Sequence, residues 1–305
     1  MATITKSTGL FPSNLVTSVY SKAKGFSSLA ALSQQEPIPF AGSDVMVFSM
    51  DGEAAIVGEG ENKPSGEAAF TKKTITPIKI VYQHRLTDEF INMSEEKQLP
   101  YLEQFVDGLA KKMARAVDIM TIQGVNPADG VESAKIGENC FAKAVTNKVT
   151  YAAATADENL DDAVALIQDK DCDVTGIAMA PAFASALGKI KAAGTGTYLY
   201  PEFRFGNKPA NFGGMANSVN NTVSFKNSKI RAIVGDFTSA FKWGYAEQVP
   251  MKIIEYGDPD GLGDLQRTNQ IVLRAETYVG FCVLDPDAPL HRQVRDVYWI
   301  LMRLH

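Results

Sequence analysis

Apolar residues recur at spacings of three and four over one long segment in the first half of the chain. The apolar positions are Leu102, Phe105, Val106, Leu109, Met113, Ala116, Val117 and Met120. This spacing predicts one covered face of an α-helix at about 97–124, with Pro100 in its first turn and Gly124 at its end. The opposite face carries Lys111, Lys112 and Arg115. We therefore expect a long helix with one buried side and one basic side.

Strand signals precede that helix. They run over residues 44–48 and 54–57 and then over 70–82, where apolar and polar residues alternate. The intervening segment 58–66 is polar and contains glycine and proline, as expected of a turn. Its charged residues are Glu59, Glu61 and Lys63. The pattern predicts a hairpin that projects from the body of the protein.

The segments around these two elements carry weaker signals. Residues 1 to about 35 are rich in Ser, Thr, Ala and Lys and show no sustained period, which predicts an extended arm. Thr87 is placed to cap a short helix, and a strand pair is expected around 140–151. Such an arm buries little surface within its own subunit, so it either stays loose or lies on a neighbour.

The second half of the chain is predicted to be α/β. Thr155 and Glu158 have capping-box spacing ahead of an apolar helix, and Pro181 opens a second helix that Gly194 ends. Short strands are expected at 174–179, 230–234 and 251–254, with a long final strand at 270–284.

The composition excludes several classes of protein. Hydrophobic residues make up 45% of the 305 residues and charged residues 21%, and no apolar run approaches the roughly 20 residues that span a bilayer. The first thirty residues show no secretory signal. Cys140, Cys172 and Cys282 lack CxxC spacing, which argues against disulfides and a zinc site and fits a reducing cytoplasm. The net charge of −5 disfavours a generally basic surface for nucleic acid.

Candidate catalytic residues do not converge on a site. His84, His291 and His305 have no partners at metal or triad spacing, so we interpret them as structural or solvated. The nucleotide motif GxxxxGK[ST] and the nucleophile motif GxSxG are both absent. We therefore expect no enzyme activity and no cofactor.

An acidic loop superficially suggests a calcium site. Its carboxylates are Asp258, Asp260 and Asp264. Pro259 and Leu262 interrupt the alternation that an EF-hand requires, and Asn269 stands where the final glutamate belongs. We interpret the loop as a solvated turn and predict no metal site.

Short segments follow the predicted elements in a definite order. The arm and hairpin are followed by Ile75-Thr-Pro-Ile-Lys-Ile80 and Leu86-Thr-Asp-Glu-Phe90, and the long helix ends in Ala116-Val-Asp118. Later landmarks are Asn211-Phe-Gly-Gly-Met215, Val234-Gly-Asp-Phe237, Arg274-Ala-Glu-Thr-Tyr-Val-Gly280 and Asp285-Pro-Asp-Ala288. In order and spacing these segments resemble Hong Kong 97-type proteins, the major capsid proteins of tailed bacteriophages, whose spine helix the long helix matches. The resemblance covers residues 1 to about 288.

This resemblance implies an α+β capsid fold with a defined domain plan. The implied parts are an N-terminal arm (1–41), an extended hairpin loop (42–73), a peripheral domain (74–151 and 267–290) with the spine helix at about 97–124, an axial domain (152–266) and a C-terminal tail (291–305). The tail has no counterpart in the family pattern. It is either an added helix that contacts a neighbour or a surface extension.

The resemblance also implies a function. Such subunits form hexamers and pentamers that build an icosahedral shell around packaged double-stranded DNA, which they contact non-specifically, and no membrane is involved. Implied partners are further copies of the chain and, in addition, scaffolding, portal and decoration proteins. The implied location is the virion, after assembly in the cytoplasm of the host bacterium. Candidate contact residues are Glu59, Glu61 and Lys63 of the hairpin tip and Lys111, Lys112 and Arg115 of the spine helix.

Three further points follow from the same residues. Lys63 stands at the tip, where the family's founder forms a covalent cross-link, but no partner asparagine or activating carboxylate can be placed, so we predict no cross-link. An encapsulin, a bacterial shell that encloses cargo enzymes, is the main alternative. A hydrolase with a site in the α/β part at 155–254 is a second alternative.

Overall fold

A computed structural model describes residues 26–51, 54–170, 172–226, 228–247, 251–284 and 299–304. The helices within these ranges are α1 (Ser28–Leu32), α2 (Glu95–Gln123), α3 (Phe141–Ala144), α4 (Ala156–Gln168) and α5 (Pro181–Leu187). The strands are β1 (Ser43–Asp51), β2 (Glu67–Ile75), β3 (Ile78–Thr87), β4 (Lys148–Thr150), β5 (Gly176–Met179), β6 (Asn211–Phe212), β7 (Met215–Val219), β8 (Ile230–Gly235), β9 (Phe241–Glu247), β10 (Met251–Ile254), β11 (Gln270–Val283) and β12 (Trp299–Arg303). Short 3₁₀ segments lie at Asp88–Phe90, Ala153–Thr155, Pro201–Gly206 and Gln266–Thr268.

Strands β1 and β2 form the predicted hairpin. They pair antiparallel without interruption from Ser43 opposite Ile75 to Asp51 opposite Glu67. The expected strand at 54–57 was wrong, because these residues belong to the irregular tip beyond the last pair. The hairpin is a separate two-stranded sheet and pairs with no other described strand.

Helix α2 is the predicted long helix, and at 1.5 Å per residue its 29 residues span about 44 Å. It ends at Gly124, whose φ of 71° is the left-handed conformation that glycine adopts readily. Pro100 was wrongly placed in the first turn, because the helix begins at Glu95. A proline here costs the helix one backbone hydrogen bond. The side chain of Gln98 holds the preceding turn instead, since its Nε2 donates to the carbonyls of Phe90, Ile91 and Met93 at 2.8–3.1 Å.

The long strand β11 organises a four-stranded sheet. It pairs with β3 along one edge and with β10 and then β9 along the other, all antiparallel. Helix α2 packs on this sheet through Val106, Leu109 and Met113, which contact Ala275 together with the aliphatic and aromatic side chains of β3. The apolar stripe that predicted the helix is therefore its contact with the sheet.

A six-stranded sheet has the order β4-β12-β8-β5-β7-β6. Helices α4 and α5 cover one face, where Leu160 and Phe183 pack with Ile177 and Met302. The other face contributes Trp299 and its neighbours to the largest core cluster, which also contains the end of α2. Because side chains alternate along a strand, the central strands are buried on both faces.

Strand β12 corrects both expectations for the tail. Residues 299–303 form neither an added helix nor a surface extension, since β12 lies between β4 and β8 and its first four side chains are fully buried. The run Trp299-Ile-Leu-Met302 has no polar alternation, which is typical of a strand covered on both faces. Residues 291–298 of the tail lie outside the described residues. The sheet also takes β4 and β12 from outside the expected axial boundaries, 152–266.

Several local expectations differ from the structure. The strand pair expected around 140–151 is a short helix, α3, followed by the single strand β4. Neither Thr87 nor Thr155 caps its helix through a side-chain hydrogen bond, although both stand at the N-cap. Helix α5 starts at Pro181 as expected but ends at Leu187, not near Gly194.

The segment after α1 crosses the sheet at one point of close approach. The amide of Glu36 donates to the carbonyl of Trp243 at 2.9 Å. A Cβ on the neighbouring Gly244 would collide with the carbonyl oxygen of Glu36, so only glycine lets the two backbones meet here. We call residues 26–41, the described part of the predicted N-terminal arm, the arm segment. This crossing fixes the arm segment to β9.

Candidate assembly surfaces

One face of the hairpin is apolar and exposed. Val45 and Val47 turn towards the core, so the alternate residues Met46 and Phe48 point outwards and are 66% and 51% exposed. Phe70 lies opposite Phe48 in the register, with ring centroids 4.8 Å apart, and is 72% exposed. Contiguous exposed apolar surface of this kind is typical of a protein–protein interaction site.

Polar contacts hold the base of the same face. Lys72 Nζ lies 2.8 Å from Asp44 Oδ2, and Thr74 Oγ1 donates to Asp44 Oδ1 at 2.7 Å. The Lys72 ammonium lowers the pKa of Asp44, with help from the Thr74 hydroxyl. These groups are exposed, so they fix the register of the hairpin more than they stabilise it.

The hairpin tip is a defined turn that carries charge outwards. Glu61 N donates to Gly58 O at 3.2 Å, and Glu61 Oε2 accepts from Gly58 N at 2.9 Å. Gly60 supplies the positive φ of 85° that such a turn requires. Glu59 and Lys63 are exposed, and Ile56 is fully exposed beside them. Within the described residues neither glutamate forms an ion pair.

The predicted basic face of α2 divides into two parts. Lys111 Nζ lies 5.1 Å above the ring of Phe26, and Arg115 donates to Asn221 Oδ1 at 2.6 Å. Lys112 is exposed. The structure thus brings Lys111 and Arg115 together with the start of the arm segment but leaves Lys112 apart.

A cleft of about 490 Å³ lies between α1, α2 and the edge of the six-stranded sheet. Lys111, Arg115 and Lys208 line it, and the lining includes no carboxylate. Asn217, also in the lining, is 93% buried; its Nδ2 donates to Pro209 O at 2.8 Å, while its Oδ1 has no partner. The three cations, with no acid among the described residues of the lining, favour an anionic partner in this cleft.

A buried carboxylate anchors the arm segment to α2. Asp118 is fully buried and accepts hydrogen bonds from the Ser27 hydroxyl, from Ser28 N at 2.8 Å, from Leu29 N at 3.3 Å and from the Thr222 hydroxyl at 2.7 Å. Burial raises the pKa of Asp118, and the four donors oppose that shift. The first amides of α1 are therefore satisfied by the spine helix rather than by water.

The sequence reasoning missed this anchor. Asp118 was quoted for the family resemblance and received no role. The available signal was its place in the run Ala116-Val-Asp-Ile-Met120, because an acid on an otherwise apolar helix face is expensive to bury without donors.

The acidic loop at 257–264 is held by a cation of the protein itself. Arg85 of β3 donates from Nε to Asp260 Oδ2 at 2.8 Å, from its terminal nitrogens to Gly263 O at 2.8 Å and Gln270 Oε1 at 3.0 Å, and also contacts Asp258 at 3.3 Å. The guanidinium lowers the pKa of Asp260 to about 2. The solvated turn expected here is instead tied to the sheet, and no group of three metal-ligating side chains occurs within the described residues.

His84 precedes Arg85 in strand β3, and its surroundings are structural. His84 Nε2 lies 2.7 Å from the hydroxyl of Tyr101, and its ring lies against Phe105 with centroids 5.1 Å apart. Burial lowers the pKa of His84. His291 and His305 lie outside the described residues.

Comparison with known proteins decides the family. The sequence model of the phage capsid family matches residues 8–290. The chain belongs to the phage capsid family. It is a structural major capsid protein with the Hong Kong 97-type fold, and the expectations from the resemblance are confirmed to that extent.

Solved structures agree with this assignment of the capsid protein. A chain of Mycobacterium phage Ogopogo is 31% identical with a TM-score of 0.75, over 91% of both chains. A chain of Gordonia phage Cozz is 25% identical with a TM-score of 0.72, over 91% of this chain and 86% of that one. The capsid of an empty GTA particle shares the fold, with 16% identity and a TM-score of 0.61, over 92% and 90% of the two chains. No curated protein matches significantly.

Family membership implies a structural role in a capsid shell and a location in the virion. The described helices of the capsid protein include none that is long and apolar enough to cross a bilayer. The candidate contact residues are placed as follows: Glu59, Glu61 and Lys63 are exposed at the hairpin tip, Lys111 and Arg115 line the cleft, and Lys112 does not. Within one chain, the structure does not bring the residues of the hairpin tip together with those of the spine helix.

Proposed function

We propose that this capsid protein assembles into hexamers and pentamers that close an icosahedral shell around packaged double-stranded DNA. The observation that carries the proposal is the exposed apolar ladder of Met46, Phe48 and Phe70 on a hairpin that no other described strand covers. Burial of such a ladder against a neighbour is favourable by roughly 25 cal/mol per Å² of apolar surface. The contact is heterologous, because a hairpin of one subunit meets a different surface of the next, and such contacts close into rings.

The proposed roles of the parts follow the domain plan. The four-stranded sheet with α2 is the peripheral domain, the six-stranded sheet with α4 and α5 is the axial domain, and the hairpin and arm are the connecting elements. Each individual contact can be weak, since every subunit makes several at once. Non-specific contact with DNA, partnership with scaffolding, portal and decoration proteins, assembly in the host cytoplasm and the lack of any catalytic role belong to the same proposal.

The experiment is to express the chain and examine it by sedimentation and negative-stain microscopy. We expect capsomers, shells or tubes. A stable monomer or dimer under all conditions would overturn the proposal. Particles made in infected cells should contain DNA, whereas a protein cargo in its place would favour the encapsulin alternative. Denaturing electrophoresis of these particles should show single subunits and no covalent ladder.

A further inference from the structure

We propose that the cleft between the arm segment, α2 and the axial sheet binds the hairpin tip of a second copy of the chain. This inference rests on the proposed assembly and names the contact. The tip is the segment that contains Ile56, Glu59 and Glu61, and the receiving residues are Phe26, Lys111, Arg115 and Lys208. We call these the tip and the cleft below.

Charge is the first argument. The cleft gathers Lys111, Arg115 and Lys208, none of which forms an ion pair within the described residues, and the lining contains no acid. This concentration of positive charge stands out in a chain whose net charge is −5. Glu59 and Glu61 are exposed and have no cationic partner within the described part of their own chain. Carboxylates and cations that lack partners in one subunit are complementary between two.

Shape is the second argument. A cavity of about 490 Å³ has the size of a small-ligand pocket and accepts a few side chains. The exposed acidic face of α4, with Asp161 and Asp162, belongs to a helix about 10–12 Å across that cannot enter the cavity. A double helix of DNA is likewise limited to the rim. The single turn at residues 58–61 of the tip is narrow enough to enter.

The apolar residues of the two surfaces also match. Ile56 is fully exposed at the tip, and Phe26 is 41% exposed at the mouth of the cleft. Ala31, Pro209 and Val219 extend the apolar wall beside Phe26. One surface therefore offers an apolar anchor flanked by acids, and the other offers an apolar wall flanked by bases.

A charge exchange tests the pairing. Glu59→Lys and Lys208→Glu should each weaken assembly, raising the protein concentration needed for shells about three- to tenfold at low salt, because ion pairs of this kind are worth up to about 1 kcal/mol and recur at every contact. The double variant should recover towards the wild-type value. Asp162→Lys and Lys170→Glu reverse exposed charges outside the tip and the cleft; they are the matched controls, and both should assemble as the wild type does.

A disulfide test measures the proximity of the two surfaces directly instead of the strength of assembly. Subunits with Glu59→Cys and subunits with Lys208→Cys are mixed, assembled and oxidised; the native Cys140, Cys172 and Cys282 are buried. We expect a cross-linked dimer that contains one subunit of each kind. Replacing the second partner by Lys112→Cys should abolish the dimer.

Three outcomes would overturn the inference. The first is wild-type assembly by both single charge variants with no mixed dimer. The second is normal assembly with a reduced DNA content in Lys208→Glu particles, which would assign the cleft to phosphate. In both of these cases the shell itself still forms, so the proposed function survives. The third, failure of the wild type to assemble at all, would overturn the inference and the proposed function together.

Discussion

The hairpin and the six-stranded sheet use the same kinds of side chain in opposite ways. The sheet covers its apolar residues on both faces within one chain, including the fully buried Trp299, whereas the hairpin covers Val45 and Val47 and exposes Phe48 and Phe70. The first arrangement stabilises the subunit. The second contributes little until another molecule covers it. The comparison separates residues that stabilise the folded subunit from residues that bind other subunits. Four sets of substitutions test this separation.

The largest effect is expected at Trp299 of strand β12. Trp299 packs edge-on against Phe141 and Phe237 at 4.7 and 4.8 Å, and its Nε1 donates to Leu284 O at 3.1 Å. Trp299→Ala should lower the free energy of unfolding by about 3–5 kcal/mol, because it leaves a large cavity. Urea denaturation of dissociated subunits measures this. Leu304→Ala, at a half-exposed position just beyond the strand, is the control and should change stability by less than about 0.5 kcal/mol.

The arm anchor should come second. Asp118→Ala leaves four donors unsatisfied in a buried site, which should cost about 2–4 kcal/mol and release α1. Hydrogen exchange of the α1 amides should rise more than exchange in the sheet. Asp162→Ala, on the exposed face of α4, is the matched control. Equal protection of α1 in the Asp118 variant and the wild type would contradict the anchor.

The acidic loop is an intermediate case with a defined pH dependence. The pKa of Asp260 is about 2 in the folded chain and lies below its unfolded value, so its contribution is present above about pH 4 and is lost as the pH falls through about 2. Asp260→Asn should lower the free energy of unfolding at neutral pH. It should also reduce the decrease in that free energy as the pH falls from 4 to 2. Denaturation curves at pH 2, 4 and 7 measure it. Asp118 has the opposite sign, since its raised pKa favours the folded state at low pH.

The smallest effect on folding, and the largest on assembly, is expected in the hairpin. The double change Phe48→Ser and Phe70→Ser removes exposed rings, so it should alter subunit stability by less than about 1 kcal/mol while abolishing shells. The conservative pair Phe48→Leu and Phe70→Leu keeps the apolar surface and should assemble. Intact shells from the serine variant would remove the distinction drawn between the two regions.

Local sequence patterns predicted the elements that have a clear hydrophobic period of their own, whichever part of the chain they pack against. Helix α2 and the hairpin have clear periods, and β11 is a long apolar strand. Strand β9 could have been found as well, because Phe241, Trp243 and Tyr245 alternate with smaller or polar residues. The sequence therefore contains enough information to predict β9.

The remaining features depend on contacts between distant residues. Nothing near Trp299 in the sequence indicates that β4 and β8 will flank it. The hydroxyl of Thr155 has the right spacing for a cap, yet tertiary packing places it without the hydrogen bond. The cleft joins residues of the arm segment, α2 and the 208–220 region, whose proximity no spacing rule expresses. Candidate contact residues could be named from charge, but the division between Lys111 and Lys112 required the fold.

The position of β12 also bears on the order of folding. The hairpin closes between residues about two dozen positions apart, whereas Lys148 of β4 and Leu301 of β12 pair across half the chain. Loop closure makes such distant pairings slow. We therefore expect the hairpin to form before the axial sheet is complete, so that a newly made subunit exposes its aromatic ladder while its core is unfinished. The yield of shells relative to aggregates should then depend on how fast that sheet closes compared with how often copies meet.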